Sequence, residues 1–294
     1  ASSLMILERP VSLSRPTLSG AANVGNTLTM AAGTWRGTEA PTFTHRWIVC
    51  DSDPGNVEFG NSLPEDCEVT PGSLSSLVLT ASHSEKFIVG QHIASNSATT
   101  SSGPTYASTA ASLQVTEAPR NLSEPTISLE RTSGETITAT EGTWAGFPEP
   151  ALTYQWYSCP SQATVPSQAF TGCTTLGAAS VSKTLLLQNS HAGRFIRVEE
   201  IATNRVNGST TPTRQTKGSI SSEPIRTPPA FASTPTISGN QHVGQIMTAN
   251  AGTVSGFEAP SLTYSWYGCD SRVSAPVSEP ENCTMLSEAS PTNT

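Results

Sequence analysis

The sequence predicts an all-β protein made of tandem β-sandwich domains, arranged as beads on a string, and three observations carry that prediction. The first is an internal repeat: Trp47, Trp156 and Trp266 each stand three residues before a cysteine, at Cys50, Cys159 and Cys269, and recur at intervals of 109 and 110 residues. A fixed period of that length is one domain repeated. The second is a succession of short runs rich in β-branched and aromatic residues, bounded by Gly, Pro, Asn and Ser, with no helical periodicity. The third is a pair of cysteines in each repeat, six in all.

Other landmarks keep the same phase. Pro16-Thr17-Leu18-Ser19 returns as Pro125-Thr126-Ile127-Ser128 and as Pro235-Thr236-Ile237-Ser238; Gly33-Thr34-Trp35 returns as Gly142-Thr143-Trp144 and as Gly252-Thr253-Val254. The second cysteines, Cys67, Cys173 and Cys283, drift because the loop before Cys67 is three residues longer.

Taken in order, residues 1–10 align with the end of the first repeat, Ser3 to Glu8 lying over Ser112 to Glu117, and are expected to be the last strand of a preceding repeat. The first full repeat, 11–117, should hold strands near 16–20, 27–35, 43–50, 74–81, 86–96 and 107–116. The second, 118–226, repeats the series at 135–144, 152–159, 181–188 and 194–204, with a weaker last strand near 219–225. Proline-rich connectors at 117–125 and 226–230 should be extended and semi-rigid. The partial third repeat, 227–294, lacks everything that corresponds to 181–204, and half a sandwich exposes its core face and sheet edges. Two expectations follow: the segment is an excerpt of a longer array, which is favoured, or neighbouring subunits complete it by strand addition.

Composition narrows the function classes. Charged residues are 13% of the 294, Lys occurs three times and the net charge is −8, so no basic stripe exists to neutralise phosphates and nucleic acid is excluded as a partner. No apolar run reaches the ~18 residues of a membrane helix. Six cysteines in three equivalent pairs, each within one repeat, read as the disulfides Cys50 to Cys67, Cys159 to Cys173 and Cys269 to Cys283, and so as an oxidising compartment. Zinc is the rival, but without CxxC or a recurring His no four-ligand site can be built.

The series PTISG, VGN or VGQ, AGTW, LTYQWYSC, a loop with a second cysteine, then a strand from FIRV to ATN resembles the immunoglobulin-like repeats found in tandem on bacterial secreted and cell-surface proteins. The resemblance implies immunoglobulin-like sandwiches acting as spacers, stalks or adhesive modules. It implies a buried Trp on the third strand, and makes Trp35, Trp47, Trp144, Trp156 and Trp266 candidate core residues. This chain departs from that pattern in three ways: Phe87 and Phe195 stand where a tyrosine corner is usual, the disulfide is local, and Val254 replaces the Trp of the other two copies.

Chemistry is sparse. HExxH, GxSxG, GxGxxG and GxxxxGK[ST] are absent. Asp51 and Asp53 begin like a calcium loop, but the glycine is misplaced, and turn formation is the favoured role. Glu199 and Glu200 are strand neighbours on opposite faces; their counterparts Gln91 and His92 suggest a partly solvated face. His83 and His191 recur at one turn and are expected to cap it. Glu279 and Glu281 form a third acidic site, and Asn121, Asn207 and Asn282 begin glycosylation sequons. Tyr157 and Tyr267 follow the central Trp, are expected to face outward, and are the candidate binding aromatics, with cross-strand packing as the favoured role.

The sequence therefore points to a non-enzymatic extracellular structural or adhesive protein, a stalk, spacer or filament or surface-layer component, with no catalytic residue, metal or cofactor. Its partners would be itself, through neighbouring repeats or subunits, and surface glycans or proteins. The alternative is a carbohydrate- or receptor-binding module of a secreted enzyme or a phage particle.

Overall fold

A computed structural model of the protein describes residues 6–70, 74–100, 102–273 and 282–292. The described chain is built of strands, with single 3-10 turns at Ala81–His83, Ser97–Thr99 and Asn189–His191 and no α-helix among the described residues. Its backbone divides into two compact units, Ala1–Glu124 with Gly142–Thr153 and Glu200–Lys217, and Pro125–Glu141 with Tyr154–Glu199 and Gly218–Thr294.

In the first unit, two antiparallel sheets form a sandwich. One has the order Thr17–Ser19, Thr27–Ala31, Ser76–Val78; the other has the order Cys67–Thr70, Thr42–Cys50, Phe87–Ser95, Thr105–Ser108. Along Thr27–Ala31, Leu28 and Met30 are buried and the threonines are exposed, the two-residue alternation of a strand with one face on a core. Those two side chains meet Trp47, Val49, Leu79, Ile88 and Val115. Trp47 is fully enclosed, and its indole N–H donates to the Leu74 carbonyl at 3.0 Å.

The Thr42–Cys50 strand does not alternate at its end, where Trp47, Ile48, Val49 and Cys50 are all buried. The reason is a second small core on the far face of the four-stranded sheet. There Ile48, Cys50 and Val89 pack with Phe59, delivered by the 51–66 loop. The Cys50 to Cys67 disulfide closes that loop at its base, joining directly paired residues of adjacent strands, Cα to Cα 4.1 Å. Cys67, expected in a loop, begins a strand instead.

The second repeat has the same two sheets. One is Thr126–Ile127, Thr136–Thr140, Thr184–Leu186; the other is Thr174–Thr175, Ala151–Cys159, Phe195–Asn204, Thr213–Gly218. The long strands Ala151–Cys159 and Phe195–Asn204 pass from one unit to the other. Buried Ile137 and Ala139 again alternate with exposed threonines. A three-strand sheet facing a four-strand sheet, with the Trp of the central Thr42–Cys50 strand between the layers, is an immunoglobulin-like arrangement.

Last strands depart from the expected positions. Regular pairing covers Thr105–Ser108 and Thr213–Gly218 only, rather than 107–116 and 219–225. Beyond them Thr109, Ser112 and Val115 donate to the carbonyls of Gly90, Ile88 and Lys86, and Ser219, Ser222 and Ile225 to those of Val198, Ile196 and Arg194. Three residues thus span two of the neighbouring strand, a succession of bulges that keeps the backbone bonded without a regular ladder.

In the third repeat, Thr236–Gly239 pairs with Met247–Asn250, and Tyr264–Cys269 with Cys283–Ser290, a strand the sequence had not suggested. Met247, at the position of the buried Leu28 and Ile137, is half-buried, and Ile237, at the position of the half-buried Leu18 and Ile127, is 63% exposed.

Candidate functional site at the connectors between repeats

The feature built most consistently is the entry to each repeat. Val11–Ser12 pairs with Trp35–Arg36, Glu117–Asn121 with Trp144–Phe147, and Thr227–Phe231 with Val254–Phe257. The connectors expected as extended spacers are therefore strands bonded to the repeat they enter. Their prolines do not prevent this. Pro119 and Pro228-Pro229 fall where the register shifts, between Glu117 and Arg120 and between Thr227 and Ala230, so no ladder donor is missed.

A serine-threonine clasp then fixes each connector. The backbone N–H groups of Thr34, Thr143 and Thr253 donate to the hydroxyls of Ser14, Ser123 and Ser233 at 2.9, 2.8 and 2.7 Å. The paired hydroxyls lie 2.9, 2.8 and 2.8 Å apart. In return Leu13, Leu122 and Ala232 donate to the carbonyls of the same threonines, each at 2.8 Å. The recurring glycine of the Gly-Thr-Trp landmark explains itself here: a Cβ on Gly33 or Gly142 would stand 1.9 or 2.2 Å from the carbonyl oxygen of Ser14 or Ser123. Only glycine lets the two backbones approach so closely.

An asparagine at the end of the long strand completes the arrangement. Asn204 Nδ2 donates to the carbonyls of Glu117 and Pro148 at 2.7 and 2.8 Å; Asn96 Nδ2 donates to those of Glu8 and Glu39 at 2.8 and 3.5 Å. In the second repeat Glu200 adds a carboxylate. Its Oε2 accepts from the Trp144 indole at 2.7 Å and from the Gly142 N–H at 3.2 Å. Its counterpart His92 cannot do the same. It is buried with neither ring nitrogen hydrogen-bonded among the described residues, packed edge-on to His45 at 4.4 Å and Phe43 at 5.9 Å. Burial first, and then the nearby His45, push its pKa down to about 4. Gln91, His92 and Glu200 are all buried, so the partly solvated face read from their polarity is a correction; polar groups sit inside and are held there by specific neighbours.

The junction between the first two repeats, both sides of which belong to the first compact unit, has one further element. Asn207 reaches from the 205–212 loop of the second repeat to the first. Its backbone N–H donates to Thr116 Oγ1 at 2.9 Å, its Nδ2 donates to the carbonyls of Ala22 at 3.0 Å and Gln114 at 2.7 Å, and its carbonyl accepts from Asn23 Nδ2 at 2.9 Å.

The structure joins Cys50 to Cys67, Cys159 to Cys173 and Cys269 to Cys283, and no described cysteine is free. Trp47 and Trp156 are buried; Trp35, Trp144 and Trp266 are half-buried. Tyr157 and Tyr267 are half-buried too, and Tyr157 is packed rather than presented, its ring 4.5 Å from Phe170 and its hydroxyl 3.1 Å from Glu199. Asp53 accepts from the Gly55 N–H in a tight turn, and Asp51 pairs with Lys86. His83 and His191 cap their 3-10 turns, Nδ1 accepting from the N–H of Thr80 at 2.9 Å and of Gln188 at 3.1 Å. Glu279 and Glu281 lie outside the described residues.

Sequence reasoning missed the serines of the clasp, although Ser14-x-Pro16-Thr17, Ser123-x-Pro125-Thr126 and Ser233-x-Pro235-Thr236 recur in phase. It also missed Arg197. That guanidinium lies beneath the 160–172 loop, donating to the carbonyls of Ser219, Gln168, Ala169 and Pro166, 3.9 Å over the Phe170 ring. Burial draws its pKa down, with Glu199 opposing.

No family model matches the chain, and no curated protein does. Among solved structures, the chain is similar to immunoglobulin domains 1–4 of Sidekick-1, at 15% identity and a TM-score of 0.30, over 74% of this chain and 50% of that one. It is also similar to the full ectodomain, Ig1 to Ig3, of mouse nectin-like molecule 4, at 18% identity and a TM-score of 0.28, over 76% of this chain and 68% of that one. The chain spans half the length of the Sidekick-1 structure. These comparisons give no support to a bacterial origin. The sheet orders themselves define the class: tandem immunoglobulin-like β-sandwiches.

Proposed function

We propose that this chain is an extracellular structural protein of the adhesion or stalk type, in which immunoglobulin-like repeats at 11–117, 118–226 and 227–294 are entered by bonded connectors, so that the first two act as a spacer. The observation that carries this reading is the serine-threonine clasp, built three times with the same bonds. A free tether between domains needs no such bonds, because a flexible chain spans the gap unaided. The paired cysteines fit an oxidising exterior. Among the described residues no helix is long and apolar enough to cross a membrane. Backbone nitrogen relaxation of the whole chain tests the reading. Amides of the first repeat and of the 142–153 segment should report one shared tumbling time; separate, faster times for each would mean a flexible tether and overturn the spacer.

A further inference from the structure

We infer that Asn207 is a modification site at which the first junction can be unlocked, by intramolecular deamidation through Gly208. The inference rests on the spacer reading and extends it to regulation. Asn207-Gly208 is the one Asn-Gly step in the sequence. Gly208 is exposed, has φ +75° with open space around it, and its N–H makes no hydrogen bond among the described residues. A backbone nitrogen free of partners and followed by no side chain is the nucleophile that this reaction requires.

The step balances with water as the only co-reactant. The Gly208 nitrogen attacks Asn207 Cγ, the Cγ to Nδ2 bond breaks, and ammonia leaves carrying the proton that was on Gly208. The resulting five-membered imide is opened by water at either carbonyl, giving Asp or isoaspartate at 207. The consequence follows from the donor pattern. Nδ2 now donates to the carbonyls of Ala22 and Gln114. A carboxylate has no hydrogen to offer and sets a negative charge against both oxygens. Isoaspartate lengthens the backbone by one carbon and also displaces the N–H held by Thr116.

The same bonds protect the site while the junction is closed. Nδ2 is held between two carbonyls and the backbone on Thr116, so the side chain is not free to meet Gly208. Opening releases it, and the chemistry then prevents reclosure. Asn207 thus converts a transient opening into a lasting one.

Two measurements on the full chain test this. First, deamidation is mapped by peptide mass spectrometry during incubation at mildly alkaline pH, in the wild type and in Thr116→Val. The expected result is deamidation at Asn207 about tenfold faster in the variant, as loss of one bond to a partly buried acceptor would give; equal rates overturn the inference. Second, hydrogen exchange is compared between the wild type and Asn207→Asp, with the Thr42–Cys50 strand as the control for folding. Exchange at 114–116 and 205–209 should rise about tenfold with the control unchanged. Unchanged exchange at those segments, in a chain whose wild-type repeats tumble together, overturns this inference and leaves the spacer standing. Independent tumbling of the wild-type repeats overturns the spacer itself.

Discussion

His92 shows how one residue can set a domain's response to acid. It is buried in the first repeat without a hydrogen-bond partner among the described residues, and its ring neighbours are His45 and Phe43, neither of which carries an opposing charge. Its folded pKa of about 4 lies below the unfolded value near 6.5. The unfolded chain therefore binds more protons between those values, and stability is fully present above pH 6.5 and lost as pH falls toward 4. Burial lowers His83 and His191 in the same direction, and each loses its cap when Nδ1 is protonated. Urea unfolding across that range should show the first repeat weakening by up to about 3 kcal/mol on account of His92, and His92→Gln should flatten the slope; an unaltered slope would exclude this histidine as the cause.

Equivalent tryptophans differ by their surroundings. Trp47 is fully buried in a closed sandwich, and Trp47→Ala should cost about 3–5 kcal/mol. Trp266 is half-buried, so Trp266→Ala should cost less than half as much, read by denaturant midpoint with probes in each repeat. At the clasp, Ser123→Ala removes the acceptor of the Thr143 N–H and should loosen the 117–121 connector by roughly 1 kcal/mol in local exchange, without moving the global midpoint.

At the scale of elements, the disulfide and its loop act together. Closing the 17-residue separation between Cys50 and Cys67 stabilises by about 3 kcal/mol in the chain-entropy account. Here it also holds Phe59 over the outer face of the four-stranded sheet. Phe59→Ala in the oxidised protein should therefore cost about 3 kcal/mol even with the disulfide intact. A cost near zero, measured by chemical unfolding under non-reducing conditions, would show the loop to be mere covering. Much of this level was legible. Alternation at 27–31 and 136–140, the Trp-to-Cys spacing and the in-phase cysteines all reflect local periodicity, which a sequence carries openly. The bulged last strands were not, because a three-to-two register leaves no alternation to read. Nor was the outer-face core, since Phe59 and Phe170 sit in loops whose return onto the sheet is set by the disulfide and by partners distant in sequence, such as Arg197 and Gln91.

For the molecule as a whole, the connectors decide the behaviour. Their prolines suggested spacers, and composition alone cannot reveal that Glu117–Asn121 finds a partner strand 23 or more residues onward. The Gly-Thr-Trp landmark was visible as a repeat, yet its meaning appears only when the backbone of Ser14 or Ser123 is seen to cross the glycine. Likewise strand alternation turns Tyr157 outward and favours packing there, but its partner, Phe170 of the disulfide-closed loop, leaves no trace in that alternation. Polar side chains at 96, 204 and 207 carry the junctions; Asn96 and Asn204 recur in phase, but the carbonyls they bond, at 8 and 117, are distant in sequence and leave no local pattern.

Native-state hydrogen exchange of the amides at 117–122 shows whether connectors are bonded strands of the repeats they enter. The structure predicts protection comparable to that of the sandwich strand Thr136–Thr140, lowered about fivefold in Ser123→Ala. Exchange at the rate of an unstructured linker, with the sandwich strands protected, would contradict it.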